Sequence, residues 1–460
     1  MKNQAFKFIL LILISSLLGF LSCSIGLTSQ QALSIAIFSV SILGTLFFWG
    51  FRLSFAFLGT SVLMMTKTID LEHLIKFASL EVILFLIGMM VIVGLLKEEG
   101  FFAWIVSVIL RIPKLTGNRF LVLISLISAL LACVVDEVTS IIFIVAAILE
   151  ICDYFEVEPL PFIITAIFAT NVGSAATVLG NPIGILIASK AGFTFEDFIV
   201  RAFPISFVCL ISVILIMAFW YKKPVKILSN HIKELGSNEM LIKLISVPVE
   251  KRLKISMVIF AVTLLVISLH HRLELFLGLE LNTILLVMPL FSSGCIMIWK
   301  RTKARDYIEK NVEWWTLLFF LLLFAQAGTL KYTGATDVLA RKIAGITGNN
   351  PNFLIGVILW LSAVGSSILD NVVLITAFIP IIQGFQGLNF NLQPLWWALL
   401  FGGCFGGNIT VVGSTANIVA LGILEKEKKI HVSFLKWFWI GLIVGLITTC
   451  IAWFMLLSFY

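Results

Sequence analysis

The sequence predicts an all-α polytopic membrane protein built from two inverted repeats. Three observations carry that reading. The chain is apolar throughout, two long apolar runs each hold an acid at their centre, and each run is followed by a Gly/Thr/Asn-rich break. Of the 460 residues, 60% are hydrophobic and 12% are charged, with a mean hydropathy of +1.10; a soluble domain carries roughly 25% charged residues. A soluble globular enzyme is therefore excluded. The seven cysteines are odd in number and scattered, without a C-x-x-C pair, which indicates neither a disulfide framework nor a zinc site. The net charge of +7 falls in discrete loops, as in proteins that fix a membrane orientation, and is no signal for nucleic acid.

A span needs about 20 apolar residues. Eleven segments qualify: 7–28, 31–50, 53–66, 79–96, 161–188, 203–221, 255–270, 278–299, 314–330, 393–422 and 434–457. The first follows Lys2 and Lys7 and resembles a signal peptide, but its length suits an uncleaved helix. Two further apolar regions, 119–150 and 353–382, are too long for one helix and are interrupted at Asp136 and Asp370. Arms of about 14 residues reach only ~21 Å, short of a ~30 Å core. Two re-entrant hairpins with acids at their tips are expected, covered by protein or a water-filled cavity. The amphipathic pieces 101–114 and 335–346 precede them and should lie in the interface.

The repeat is visible as a constant offset. Gly94, Lys97, Gly100 and Asp136 recur as Gly328, Lys331, Gly334 and Asp370, an offset of 234 (Asp370 minus Asp136). Pro161, Phe168, Gly173, Thr177, Val178 and Gly180 recur as Pro394, Phe401, Gly406, Thr410, Val411 and Gly413, an offset of 233 (Gly413 minus Gly180). The expected units are an extra N-terminal helix (1–30), repeat 1 (31–221), a cytoplasmic linker (222–254) and repeat 2 (255–460). Each repeat holds five spans and one hairpin, and the odd span number inverts the second copy. With the N-terminus in the cytoplasm, 23 of the 32 basic residues fall inside and eight outside, as the positive-inside rule requires. The expected location is the plasma (inner) membrane.

Asp136, Glu137 and Asp370 are the acids deepest in apolar sequence. An intramembrane charge costs about 2.5–3.5 kcal/mol on insertion scales. No Lys or Arg lies near them in sequence, so a cation, Na⁺ or H⁺, should complete the site. Na⁺ is expected at Asp136, Asp370 and Asn371, and no other cofactor. Thr139 lies one turn from Asp136. Each acid also suits the N-cap of the arm it precedes. The breaks supply Asn171, Gly173, Ser174, Thr177, Gly180 and Asn181 in the first copy. The second supplies Gly407, Asn408, Thr410, Gly413, Ser414, Thr415 and Asn417. Freed backbone groups and half-helix ends there suit a small ionic solute; close packing through small residues is the alternative. Gly88, Gly94 and Gly328 read as packing residues. Cys133 and Cys404 lie near the breaks and read as inert core thiols.

At these residues the chain resembles the ion transporter superfamily. The resembling branch holds the arsenite permeases, the melanosomal P protein and the citrate–metal symporters, with a citrate-transporter-like domain. VVDEVTS and SILDNVV look like its hairpin motif. NVGSAATVLGNPIGILIAS and GGNITVVGSTANIVALGI look like its two broken-helix motifs. The divalent anion/sodium symporters are more distantly similar. The resemblance implies a homodimer whose protomers each pair a scaffold (31–96 and 255–330) with an elevator-type transport domain. The latter is made of hairpins 119–150 and 353–382 and broken helices 161–188 and 393–422. Glu137 stands where the family pattern has Asn, Val373 where it has Thr or Pro, and Gly184 where it has Asn. The expected function is secondary active transport of a small ion or carboxylate, coupled to Na⁺ or H⁺. The alternatives are a Na⁺/H⁺ antiporter and an arsenite or anion channel-like permease, the latter alone implying a separate ATPase subunit. The chain has no phosphate-binding G-x-x-x-x-G-K-[ST] loop of its own.

Overall fold

The computed structural model describes residues 2–24, 26–110, 115–235, 250–346, 350–388 and 390–460. Among these there are helices and connecting turns but no strand. Ten helices are long and apolar enough to cross a membrane, or eleven if Lys251–Ser268 and His270–Leu277, bent by 66° at their junction, form one span. All-helical architecture follows from the solvent: in hydrocarbon a backbone must satisfy its own hydrogen bonds.

Helix Lys2–Ser24 packs on Ser29–Phe47, whose start is fixed by Thr28 and Gln31 in a reciprocal capping box. Arg52–Met65 packs on Trp314–Tyr332, and Leu80–Glu98 on Thr283–Lys300, so the leading helices of the two repeats interdigitate. The packing is pseudo-symmetric in detail. A Cβ on Gly94 would run into Asn311, and one on Gly328 into Phe77; each contact is the other shifted by the repeat offset. Gly88 likewise faces Pro289. These three glycines are packing positions, as their sequence context suggests.

The first hairpin comprises Gly117–Val134 and Glu137–Tyr154, the second Pro351–Ile368 and Asn371–Gly384. Their arms have 18, 18, 18 and 14 residues, so three of the four exceed the 14 expected. In the two first arms the reason is capping: Thr116 and Asn350 start them outside the apolar runs. An 18-residue arm reaches ~27 Å. What identifies the hairpins is therefore the break at each acid, not arm length.

The breaks fall where Gly, Asn and Pro predict them. Leu160–Gly173 is followed by Pro182–Ala191, and Gln393–Gly406 by Thr415–Lys428. Each hairpin's first arm packs on the first half of its own repeat's broken helix. Each second arm crosses to the second half of the other's: Glu137–Tyr154 meets Thr415–Lys428, and Asn371–Gly384 meets Pro182–Ala191. The four elements of the two copies thus form one interlocked core.

Two expectations need adjustment. Part of the predicted linker is an ordered helix, Lys222–Leu235, docked at the base of the first hairpin, where Ser229 accepts a hydrogen bond from Gly117 N at 2.8 Å. The rest of that linker, 236–249, and the end of the first amphipathic piece, 111–114, lie outside the described residues. Arg52, one of the 23 basic residues expected on the cytoplasmic side, is 8% exposed. Its helix opens so close to Trp49 and Phe319 that the guanidinium is drawn over both rings, 4.1 and 5.3 Å from their centroids.

Candidate functional site

Both hairpin acids cap the arms they precede. Asp136 Oδ1 accepts from Val138 N and Thr139 N at 2.9 and 3.0 Å. Asp370 Oδ1 accepts from Val372 N at 3.1 Å, and its Oδ2 accepts from Thr415 Oγ1 at 2.6 Å. Capping and ion binding are compatible, because a cap aims a carboxylate at the tip of the hairpin.

The two tips meet through Glu137 and Asn371, which occupy the same position in the two repeats. Asn371 Nδ2 donates to Glu137 Oε1 at 3.1 Å, and Ser174 Oγ donates to Glu137 Oε2 at 3.1 Å. Glu137 is 3% exposed and Asn371 is 1% exposed. The carboxylate is therefore buried with neutral donors on both oxygens and no cation in contact. The extra acid that departs from the family pattern is one of the residues that join the two halves.

The break residues form a second, deeper network. Asn171 Nδ2 donates to Asn408 Oδ1 and Asn417 Oδ1 at 2.8 and 2.9 Å, while its Oδ1 accepts from Ser414 Oγ at 3.1 Å. Asn417 Nδ2 donates to the carbonyls of Gly407 and Thr410 at 2.8 and 3.0 Å. Asn181 Nδ2 donates to Ser174 Oγ at 2.9 Å and Cys404 Sγ at 3.2 Å, and its Oδ1 accepts from Gly184 N. Thr177 Oγ1 donates to Cys133 O, and Thr410 Oγ1 to Ser367 O; these two bonds are repeat equivalents. Freed carbonyls are thus bonded within each repeat, and the Asn171 amide bonds across to the other, as a membrane interior favours. Cys133 and Cys404 are buried within this network.

The glycines have a packing role. A Cβ at Gly173 would lie 2.5 Å from Ala129 Cα, and one at Gly406 would lie 2.5 Å from Ala363 Cα. Gly180 and Gly413 abut the carbonyls of Ala132 and Ser366 in the same paired way. Without side chains, the broken helices sit directly on the backbones of the hairpin arms.

Of the residues singled out from sequence, Asp136, Glu137, Thr139, Asn181 and Thr415 line a cleft of about 120 Å³ against the leading helices. Its far wall includes Met89, Glu313, Thr316 and Phe320. Asp370 faces a separate cavity with Trp49 and Val373. Asn171, Asn408 and Ser414 are fully buried behind both. Among the described residues no group of three His, Cys, Asp or Glu side chains can share a metal ion.

Sequence reasoning missed Arg52 and Glu313. Arg52 Nη2 donates to Thr316 Oγ1 at 3.0 Å, and the same hydroxyl lies 3.4 Å from Glu313 Oε2. Trp49, under the Arg52 guanidinium, lines the cavity that Asp370 faces. The only signal in sequence was an arginine opening an otherwise apolar run.

An all-helical chain with paired hairpins, paired broken helices and a charged cleft between them defines a membrane transporter. The sequence pattern of the citrate transporter family matches residues 45–402, and the chain belongs to that family. It is 33% identical to an uncharacterized transporter of Mycobacterium tuberculosis over 75% of this chain and 79% of that one. It is 25% identical to the human P protein over 81% of this chain and 52% of that longer one. Its fold is similar to the crystal structure of the YdaH transporter of Alcanivorax borkumensis, with a TM-score of 0.53 at 14% identity over 84% and 86% of the two chains.

Proposed function

We propose that the protein is a secondary active transporter of a small ion or carboxylate, coupled to Na⁺ or H⁺ through Glu137, Asp136 and Asp370. The observation that carries this is the burial of Glu137 between two neutral donors where the hairpin tips meet. A charge so placed is costly, and a coupling cation offsets that cost when it binds. The interlocked hairpins and broken helices would move as one body against the leading helices. The cleft between them then opens to alternate sides. Asn181 and Thr415, the break residues that reach the cleft, would contact the solute.

A second reading, a Na⁺/H⁺ antiporter, is favoured by the fate of the break amides. Asn171 and Asn417 are occupied inside the protein, which leaves carboxylates as the main polar groups at the cleft. Proteoliposome flux separates the two. A symporter takes up anionic solute, such as citrate, on an imposed Na⁺ or H⁺ gradient. An antiporter moves H⁺ on adding Na⁺ with no organic solute present. Unchanged ion-coupled flux in both E137Q and D370N would sink either assignment.

A further inference from the structure

Arg52 is a buried arginine without a carboxylate partner. Among the described residues no acid lies within 4.0 Å of its guanidinium, and its Nε has no hydrogen-bond partner. Arginine stays protonated under all working conditions, so a full positive charge is held inside the protein. The cost is partly offset by the faces of Trp49 and Phe319 and by Thr316.

Its position is specific. Trp49, beneath the guanidinium, lines the cavity that contains Asp370. Thr316, which holds its Nη2, lines the cleft that contains Asp136 and Glu137. Arg52 therefore stands at the partition between the two acid-bearing cavities. It belongs to the leading helices, whereas all three acids sit on hairpin tips. Arg52 and Asp370 share Trp49, which lies under the guanidinium and lines the cavity of Asp370, while Glu313 lies 3.4 Å from the Thr316 hydroxyl that holds Arg52 Nη2. The repeat supplies no second arginine at the equivalent place, since the equivalent of Arg52 is Leu286.

We propose that Arg52 is a tethered counter-cation for Asp370. It neutralises the hairpin tip when the coupling ion has left, and the arriving ion competes with it. This rests on the reading of Asp370 as a coupling residue. A fixed positive charge disfavours a second cation nearby. At an effective dielectric of about 20, a separation of up to ~10 Å corresponds to a factor of ten or more in affinity. The ion-free tip would thereby be charge-compensated in the conformation that holds it beside Arg52.

The test is the melting temperature of the purified full chain titrated with NaCl, choline chloride holding ionic strength constant. R52Q should lower the half-saturating Na⁺ concentration about tenfold or more, with R52K close to wild type. The shift should vanish in R52Q/D370N. T316V keeps the charge but frees the guanidinium toward Asp370, so it should raise the midpoint; this variant remains informative should R52Q fail to fold. An unchanged or raised midpoint in R52Q, no change in T316V, or no Na⁺ response in any of these proteins overturns the proposal. A response that requires Asp370 but ignores Arg52 overturns it alone. A response that survives D370N removes the coupling role of Asp370 as well.

Discussion

Asn171→Ala tests whether the two repeats are held together by the buried amide network. The substitution removes three hydrogen bonds, to Asn408, Asn417 and Ser414. Hydrogen bonds between helices in membrane proteins average about 0.6 kcal/mol, with a maximum near 1.7. Three of them amount to ~2 kcal/mol, with a ceiling of ~5 kcal/mol, because all three former partners are buried. Asn408→Ala removes one of the same bonds, the one accepted by its Oδ1, while its Nδ2 has no hydrogen-bond partner, so it should cost less. The double variant should then be less destabilised than the sum of the singles by about 0.6–1.7 kcal/mol. Equilibrium unfolding in mixed micelles with a denaturing detergent reads all three values. An Asn171→Ala protein within ~0.5 kcal/mol of wild type, or strict additivity with Asn408→Ala, would refute the idea that this network joins the halves.

Glu137→Gln should leave unfolding free energy unchanged or raise it, because neutralising a buried charge removes a desolvation cost, while ion-coupled uptake falls at least tenfold; a loss of stability in parallel with uptake would contradict this. Gly173→Ala and Gly406→Ala should each cost at least ~1–3 kcal/mol and by similar amounts, since equivalent alanine backbones block both, whereas Gly422→Ala, with open space around it, should gain a few tenths of a kcal/mol or more. Unfolding titrations compare the three. Thr415→Val should lower stability by ~1.5–3 kcal/mol through the lost donor to Asp370, and a smaller drop in a D370N background would confirm that the two act together.

The helices, the two breaks and the hairpin acids were legible because each is a local pattern: apolar length, Gly and Pro density, and an acid in an apolar run. The repeat offset also holds in the packing, where Gly94 with Asn311 and Gly328 with Phe77 are one contact in two copies. Arm ends were not legible, because Thr116 and Asn350 cap from polar sequence beyond the apolar runs. Nor was the role of the break glycines and amides. A glycine that makes room for a solute and one that admits a backbone look alike in sequence, and only Ala129 and Ala363 show which applies at Gly173 and Gly406. The place of Arg52 beside the cavity of Asp370 was not legible because the two are far apart in the chain and nothing local to either marks the other.

The contact between Glu137 and Asn371 has a historical consequence. A residue that meets its own repeat equivalent lies on the axis relating the repeats. If two identical half-length chains assembled in opposite orientations, that position would face itself. Two glutamates there would repel each other inside the membrane, and two asparagines would carry no charge to bind an ion. An acid opposite an amide requires two copies that have diverged, as the two halves of this chain have. The hydrogen bond at the hairpin tips is thus a chemistry open to a fused gene and closed to a symmetric pair of half-length subunits.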